Sequence, residues 1–344
     1  MVHITEGNLL KDSAEAIVNT VNCVGVMGKG IALQFKQAFP DNFKAYARAC
    51  KNGDVKPGKM FVFSLDAMLN PKYIINFPTK NHWREKSKIG NIEAGLSDLA
   101  NVIRHHNIKS IAIPPLGCGY GGLRWDEVRG LIETTFKDMP DVDVRLYAPK
   151  GAPDADSMLI KTEITEMTKA RALFIKLLNQ YAIPGYRLSL LEIQKLAYFL
   201  QEAGEPLQLN YVKQKYGPYA ENLNFVLQRI EGHFISGYGD RSRKAFIQLL
   251  PGAVEQAEGF LANDSEARER LDRVAALIEG FETPYGMELL ASVHWVCRKE
   301  EDCARHAEAA SEKIFKWNTH KNKTFKANHI HKAWARLSEQ KWLL

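Results

Sequence analysis

A chain of 344 residues that is 45% hydrophobic and 25% charged has a globular balance and the length for two domains, each burying its own core. Its 46 basic and 40 acidic side chains leave a net charge of +6, which permits contact with a polyanion without demanding it, because phosphate binding comes from clustered Lys and Arg. The sequence shows no bilayer-length apolar run, paired-cysteine framework or C-x-x-C zinc pattern, and residues 1–6 do not have the basic-then-apolar layout of a secretory signal; a cytoplasmic protein with no membrane association is expected, with reduced thiols at Cys23, Cys50, Cys118, Cys297 and Cys303 and no metal or other cofactor.

In chain order, residues 1–6 read as the start of a strand. Short β-branched runs predict further strands at 16–21, 60–63, 73–76, 110–113 and 142–147. Amphipathic spacing predicts helices between them at 29–39, 42–51, 92–105 and 125–137. Strands alternating with helices of this length imply an α/β domain, a three-layer α/β/α arrangement around a mixed, mostly parallel sheet. The stretch 148–157, rich in Pro, Gly and Asp, breaks this rhythm and reads as a linker. Beyond it the period becomes 3.6. Ser189 and Glu192 form a capping-box pattern ahead of Leu190, Ile193, Ala197 and Leu200 on one face. Thr283-Pro284 supplies a cap and a proline at the first helical position. Helices are predicted at 165–181, 218–229, 265–281, 284–298, 303–317 and 329–337. The expected organisation is an α/β domain over 1–150 and a mostly α-helical domain over 158–344.

Two glycine loops follow strands of the first half, where ligands of open α/β sheets collect. The segment Asn19 to Ala32 leads from a strand through a glycine loop into a helix, and Ile113 to Leu123 does the same later in the chain. Glycine lets backbone N–H groups approach phosphate oxygens, and a helix N-terminus favours negative charge. Two such loops on neighbouring strands could clamp a diphosphate; either alone is equally well explained as turn geometry.

The strand ending in Asn19-Thr20-Val21-Asn22, the first glycine loop and the later Gly117-Cys118-Gly119 loop together resemble the macrodomain family, whose members bind ADP-ribose. The resemblance covers about residues 1–150. It implies that Asn22 contacts the distal ribose, and that Gly28, Lys29, Gly30 and Ile31 line the distal ribose and diphosphate. It also implies that Gly117, Cys118, Gly119, Tyr120 and Gly121 close over the phosphates. Gly7-Asn8-Leu9-Leu10 matches the family's G-D-[IL] segment, so Asn8 and Leu9 are expected at the adenine. The usual aspartate is replaced by an uncharged amide.

Macrodomains range from passive readers to hydrolases, so the fold leaves the reaction open. One hydrolase branch uses an aspartate after the glycines of the first loop; Met27 to Ala32 contains no carboxylate. Another uses a lysine after the fourth strand, and Lys80, preceded by Thr79, stands at that place. This resembles the terminal ADP-ribose glycohydrolases, and more closely the antitoxins that strip ADP-ribose from thymidine in single-stranded DNA. The aspartate that assists the lysine in the terminal enzymes is missing from the second loop, and Asp126 lies further along. Lys80 is therefore the expected catalytic residue and Thr79 a substrate contact. The lysine would serve either as an ammonium at the leaving base or as a neutral amine attacking C1″. His82 and Trp83 could stack on a base, and Arg84, Lys86 and Lys88 could follow DNA phosphates. A reader without hydrolysis and a glycohydrolase acting on modified proteins are the alternatives.

In the second half, Lys195-Leu196-Ala197-Tyr198, Tyr211 and Tyr216-Gly217-Pro218-Tyr219 resemble helical antitoxin domains. The resemblance implies a protein partner, a cognate DNA ADP-ribosyltransferase toxin. The same residues read equally well as core aromatics around a Gly-Pro turn. His320, His329 and His331 are too loosely spaced to suggest a metal.

Overall fold

The computed structural model describes residues 1–182 and 185–343. The chain forms two compact units: Met1–Glu163 together with Gly239–Arg243, and Ile164–Tyr238 together with Lys244–Leu344.

The first unit contains strands β1 (Val2–Thr5), β2 (Ala16–Val21), β3 (Phe61–Ser64), β4 (Tyr73–Pro78), β5 (Ser110–Ile113) and β6 (Asp143–Tyr147), with helices α1 (Gly30–Ala38), α2 (Pro40–Asn52), α3 (Ile89–His105) and α4 (Trp125–Phe136). The sheet order is β1-β6-β5-β2-β4-β3. All pairs are parallel except β3 with β4, so the mixed, mostly parallel sheet expected from the sequence is present. β2 and β4 are buried on both faces, as parallel strands between two helical layers must be.

Strand alternation sorts the side chains. Ala16, Val18, Ile75 and Phe77 join Ile92, Leu96 and Leu99 of α3 and Val128, Ile132 and Phe136 of α4 on one face. Ile17 and Ile74 meet Phe35 and Ala38 of α1 on the other. Gly95 permits the close approach of α3 to β4: a Cβ there would stand 2.2 Å from the Phe77 ring. That contact seats the end of β4, from which Thr79 and Lys80 emerge.

The second unit is mostly helical: α5 (Lys169–Tyr181), α6 (Leu190–Glu202), α7 (Leu223–Ile230), α8 (Ala253–Leu261), α9 (Ser265–Ile278), α10 (Pro284–Lys299), α11 (Glu301–Arg305), α12 (Ala307–Phe315), α13 (Thr319–Thr324) and α14 (Ala327–Glu339). The Ser189–Glu192 capping box forms, with the Ser189 amide donating to the Glu192 carboxylate at 2.8 Å. Several elements differ from the sequence reading, among them α8 and α13, where no helix is predicted. The helix expected at 218–229 begins only at Leu223, because Gly217–Ala220 is a strand paired antiparallel with Tyr211–Gln214. The single helix expected at 303–317 is broken at His306, which takes extended backbone between α11 and α12. Thr168 caps α5, so the helix expected over 165–181 starts at Lys169, four residues later.

Candidate active site

The carboxyl ends of β4, β2 and β5 lie side by side in the sheet, and each continues into a segment singled out by sequence. Beyond β2 and β4 the chains stay paired: the Thr79 amide donates to the Val21 carbonyl at 3.0 Å and the Cys23 amide to the Asn81 carbonyl at 2.8 Å. Further along, the Ser87 amide donates to the Gly121 carbonyl at 3.0 Å. The segment 79–88 is thus fastened at one end to the first glycine loop and at the other to the second, with Lys80 between two fixed points.

The second loop is compact. A Cβ on Gly121 would sit 2.2 Å from the Gly117 carbonyl oxygen and 2.3 Å from the Ser87 hydroxyl. Gly117 itself has a φ of +70°, a conformation that favours glycine. By contrast, a Cβ on Gly119 would meet nothing within 4 Å, so that backbone faces open space where a ligand can approach it. Tyr120 reaches across to the first loop: its ring would lie 3.4 Å from a Cβ on Gly30, and the Lys29 ammonium stands 5.1 Å from the ring centroid. The two glycine loops therefore meet through Tyr120, with the α1 N-terminus between them. Ile31 packs behind this loop on the α1 side of the core.

Asn22 is 6% exposed and is committed to shaping the first loop. Its Nδ2 donates to the Val26 carbonyl at 2.6 Å, and its Oδ1 accepts from the Val24 amide at 3.0 Å and the Tyr46 hydroxyl at 3.2 Å. Asn8 caps the short 3₁₀ turn Leu9–Lys11, its Oδ1 accepting from the Leu10 amide at 3.0 Å, and Leu9 is buried. Both residues hold backbone in place, a role for which their amides suffice. Thr79 is 2% exposed and its hydroxyl donates to the Val21 carbonyl at 3.4 Å.

Lys80 is partly buried, and its Nζ donates to the Glu85 carbonyl at 3.0 Å. Burial, reinforced by the neighbouring Lys86 charge, pulls its ammonium below the ordinary lysine value; Glu85 opposes this. Cysteine chemistry is disfavoured here. Burial pushes the Cys23 and Cys118 thiols up to about 11, so both stay protonated near neutrality. The His82 and Trp83 rings lie 5.2 Å apart, tilted by 33°, with the Arg84 guanidinium 4.6 Å over the Trp83 ring. Trp83 is 47% exposed, an aromatic–cation surface on the same segment as Lys80.

Sequence reasoning missed Asp240, which belongs to this unit and stands 3% exposed against the first loop. The Gly30 amide donates to its carbonyl at 2.8 Å and the Gln34 amide to its carboxylate at 2.6 Å. No local pattern marks a residue so distant in the chain.

In the second unit, the two halves of the Lys195/Tyr-Gly-Pro-Tyr pattern join directly: the buried Lys195 ammonium donates to the Pro218 carbonyl at 2.6 Å. Tyr198 is 1% exposed and bonded to His294 at 2.8 Å, whereas Tyr216 is 45% exposed. Most of this motif therefore builds the unit's core. Among the described residues no cluster of three His, Cys, Asp or Glu side chains could hold a metal ion, and no helix is long and apolar enough to cross a membrane.

The Macro domain family model matches residues 18–132. A Thermus aquaticus protein named DNA ADP-ribosyl glycohydrolase is 47% identical over 330 residues, covering 96% of this chain and 91% of its own. A Thermosipho africanus DNA ADP-ribosyl transferase–DNA ADP-ribosyl glycohydrolase fusion protein is 35% identical over 168 residues, 44% of this chain and 43% of the relative. The solved macrodomain of Mycobacterium tuberculosis DarG is 55% identical, with a TM-score of 0.43, covering 44% of this chain and 99% of that one. With a macrodomain at its N-terminal end and near full-length identity of this degree, the chain belongs to the DNA ADP-ribosyl glycohydrolase family.

Proposed function

We propose that this protein is an antitoxin that removes ADP-ribose from thymidine in single-stranded DNA, with Lys80 as the catalytic side chain. The observation that carries the reading is the placement of Lys80: an amine with a lowered proton affinity, on a segment fastened to both glycine loops. The loops themselves contribute neither a carboxylate nor an ionised thiol.

ADP-ribose lies with its diphosphate between the two glycine loops, near Gly28, Lys29, Gly30 and Ile31 on one side and Gly117 to Gly121 on the other. The adenine points toward Asn8 and Leu9, and the distal ribose lies toward Asn22, Thr79 and Lys80. The neutral amine of Lys80 attacks C1″ while the bond from C1″ to the thymine nitrogen breaks. The base takes that bond's electron pair and the proton the amine gives up. Ring opening yields a Schiff base, and one water restores the amine and releases ADP-ribose. His82, Trp83 and Arg84 offer stacking and charge for the flanking nucleotides. The helical unit binds and neutralises the cognate DarT-like transferase. The fusion of a transferase with a glycohydrolase in the Thermosipho relative supports such a pairing.

The test is release of ADP-ribose from a thymidine-modified single-stranded oligonucleotide. Cleavage by wild type, with loss in Lys80→Ala that still binds ADP-ribose, is the expected result. Binding of ADP-ribose without cleavage by wild type would make the protein a reader instead. Cleavage of glutamate-linked ADP-ribose in preference to the DNA linkage would assign it to modified proteins.

A further inference from the structure

The segment Gly239–Arg243 crosses the first unit at the glycine loops and is held there at several points. The Asp240 carbonyl accepts the Gly30 amide at 2.8 Å. Its carboxylate accepts from Gln34 Nε2 at 2.6 Å on one oxygen and from the Ser242 amide at 2.9 Å and the Ser242 hydroxyl at 2.5 Å on the other. The Tyr120 hydroxyl donates to the Arg241 carbonyl at 3.4 Å. Arg243 pairs with Asp154 at 3.2 Å, and a Cβ on Gly239 would come within 3.0 Å of Ala155. Arg241 has a φ of +64°, an unfavourable conformation for a side chain of this kind that persists only where surroundings impose it.

These contacts fall on the groups assigned to the ligand. Gly30 opens α1, and its amide is one of the donors that a helix start offers to an anion. That donor is taken here by a backbone carbonyl. A diphosphate brought to the same amide would also lie beside the Asp240 carboxylate, and like charges at such separation repel strongly where water is scarce. Strap and ligand cannot both use Gly30.

We propose that Gly239–Arg243 is a built-in competitor for the ADP-ribose site, with Asp240 as its anchor, so that ligand entry requires the strap to leave Gly30 and Tyr120. This rests on the assignment of the diphosphate to the two glycine loops. The strap lowers the apparent affinity of the site by the fraction of molecules in which it is open, and weakening its anchor raises that fraction.

The test uses the full chain. ADP-ribose binding is measured by calorimetry for wild type, Asp240→Ala and Gln34→Leu, the second variant loosening the anchor from the other side. Amide hydrogen exchange of the peptide containing residues 239–243 is followed with and without saturating ADP-ribose. Tightening of about tenfold in both variants, with faster exchange of the strap when wild type is saturated, is the expected result. Unchanged or weaker binding in both variants, with strap exchange unaltered or slowed by ligand, overturns the competitor while leaving the ADP-ribose site intact. Absence of binding in all three proteins overturns the site assignment, and the competitor with it.

Discussion

The Lys80 ammonium and the Glu85 carbonyl stand 3.0 Å apart across one turn of the segment that follows β4. The partner is a neutral backbone oxygen, so the loss of hydration on burial is not offset by a bonded carboxylate. Lys86, on the same segment, adds a like charge. Both effects favour the neutral amine, the form that can attack a sugar carbon. Replacing Lys80 by Ala is predicted to slow release of ADP-ribose from modified DNA by at least about 100-fold, the lower end for loss of a positioned catalytic group. ADP-ribose affinity should change only a few-fold, since no glycine-loop donor is touched. Retention of more than a tenth of the wild-type rate in a single-turnover assay would remove Lys80 from the chemistry.

The pH dependence follows from the same geometry. An amine acting as nucleophile gives a rate that rises with pH through the lowered Lys80 value and then levels. Lys86 disfavours the charged form of Lys80, so removing that cation raises the Lys80 value. Lys86→Met, which keeps the stem against Gly122, is predicted to move the rising limb to higher pH and to slow the reaction near neutrality. A rate that falls with pH over the same range would mean that the ammonium is the working form, acting at the leaving base.

The two open and closed glycines of the second loop separate ligand contact from loop geometry. Gly119→Ala meets no protein atom within 4 Å, so the loop keeps its shape and only a ligand lying against it is displaced. ADP-ribose binding is predicted to weaken by about tenfold with thermal stability unchanged, as expected for about 1.4 kcal/mol of lost contact. Gly121→Ala, directed at the Gly117 carbonyl and the Ser87 hydroxyl, should lower stability as well. Calorimetric binding of ADP-ribose beside thermal unfolding of each variant gives the comparison; equal affinity in Gly119→Ala and wild type would take the ligand away from this loop.

A buried amide triad braces the sheet beneath the site. Asn19, Asn42 and Asn76 are each 0% exposed. Asn19 Nδ2 donates to Asn76 Oδ1 at 3.0 Å, and Asn76 Nδ2 donates to Asn42 Oδ1 at 2.7 Å. Asn76→Ala strands polar groups on two neighbours, and a loss of roughly 2–5 kcal/mol is predicted from the usual penalty for orphaned buried partners. Denaturant unfolding, read by a probe in the first unit, measures it. A change below about 0.5 kcal/mol, the range of a neutral surface substitution, would show that water replaces the missing amide.

Much of the first unit was legible because its signals are local. Alternating β-branched residues at 16–21 and 73–76 mark β2 and β4, and the glycines at 28, 30, 117, 119 and 121 mark the turns where backbone must bend sharply or come close to a ligand. The Ser189–Glu192 box was readable for the same reason: both partners lie within one helical turn. Position 218 shows the limit. A helix is expected over 218–229, yet pairing with Tyr211–Gln214 made Gly217–Ala220 a strand, and such pairing bonds leave no trace in the residues themselves.

The sequence by itself determined the strand and helix alternation, the pair of glycine loops and the lysine that stands between them, because periodicity and turn chemistry act over a few residues. Only the tertiary structure decided what those residues touch. It turned the amides of Asn22 and Asn8 toward loop and cap backbone and set Lys80 against a neutral carbonyl beside Lys86. It also brought Asp240 to the Gly30 amide. Each of these depends on desolvation or on a hydrogen bond closed through the folded chain, and those free energies exist only once the core has brought distant segments together.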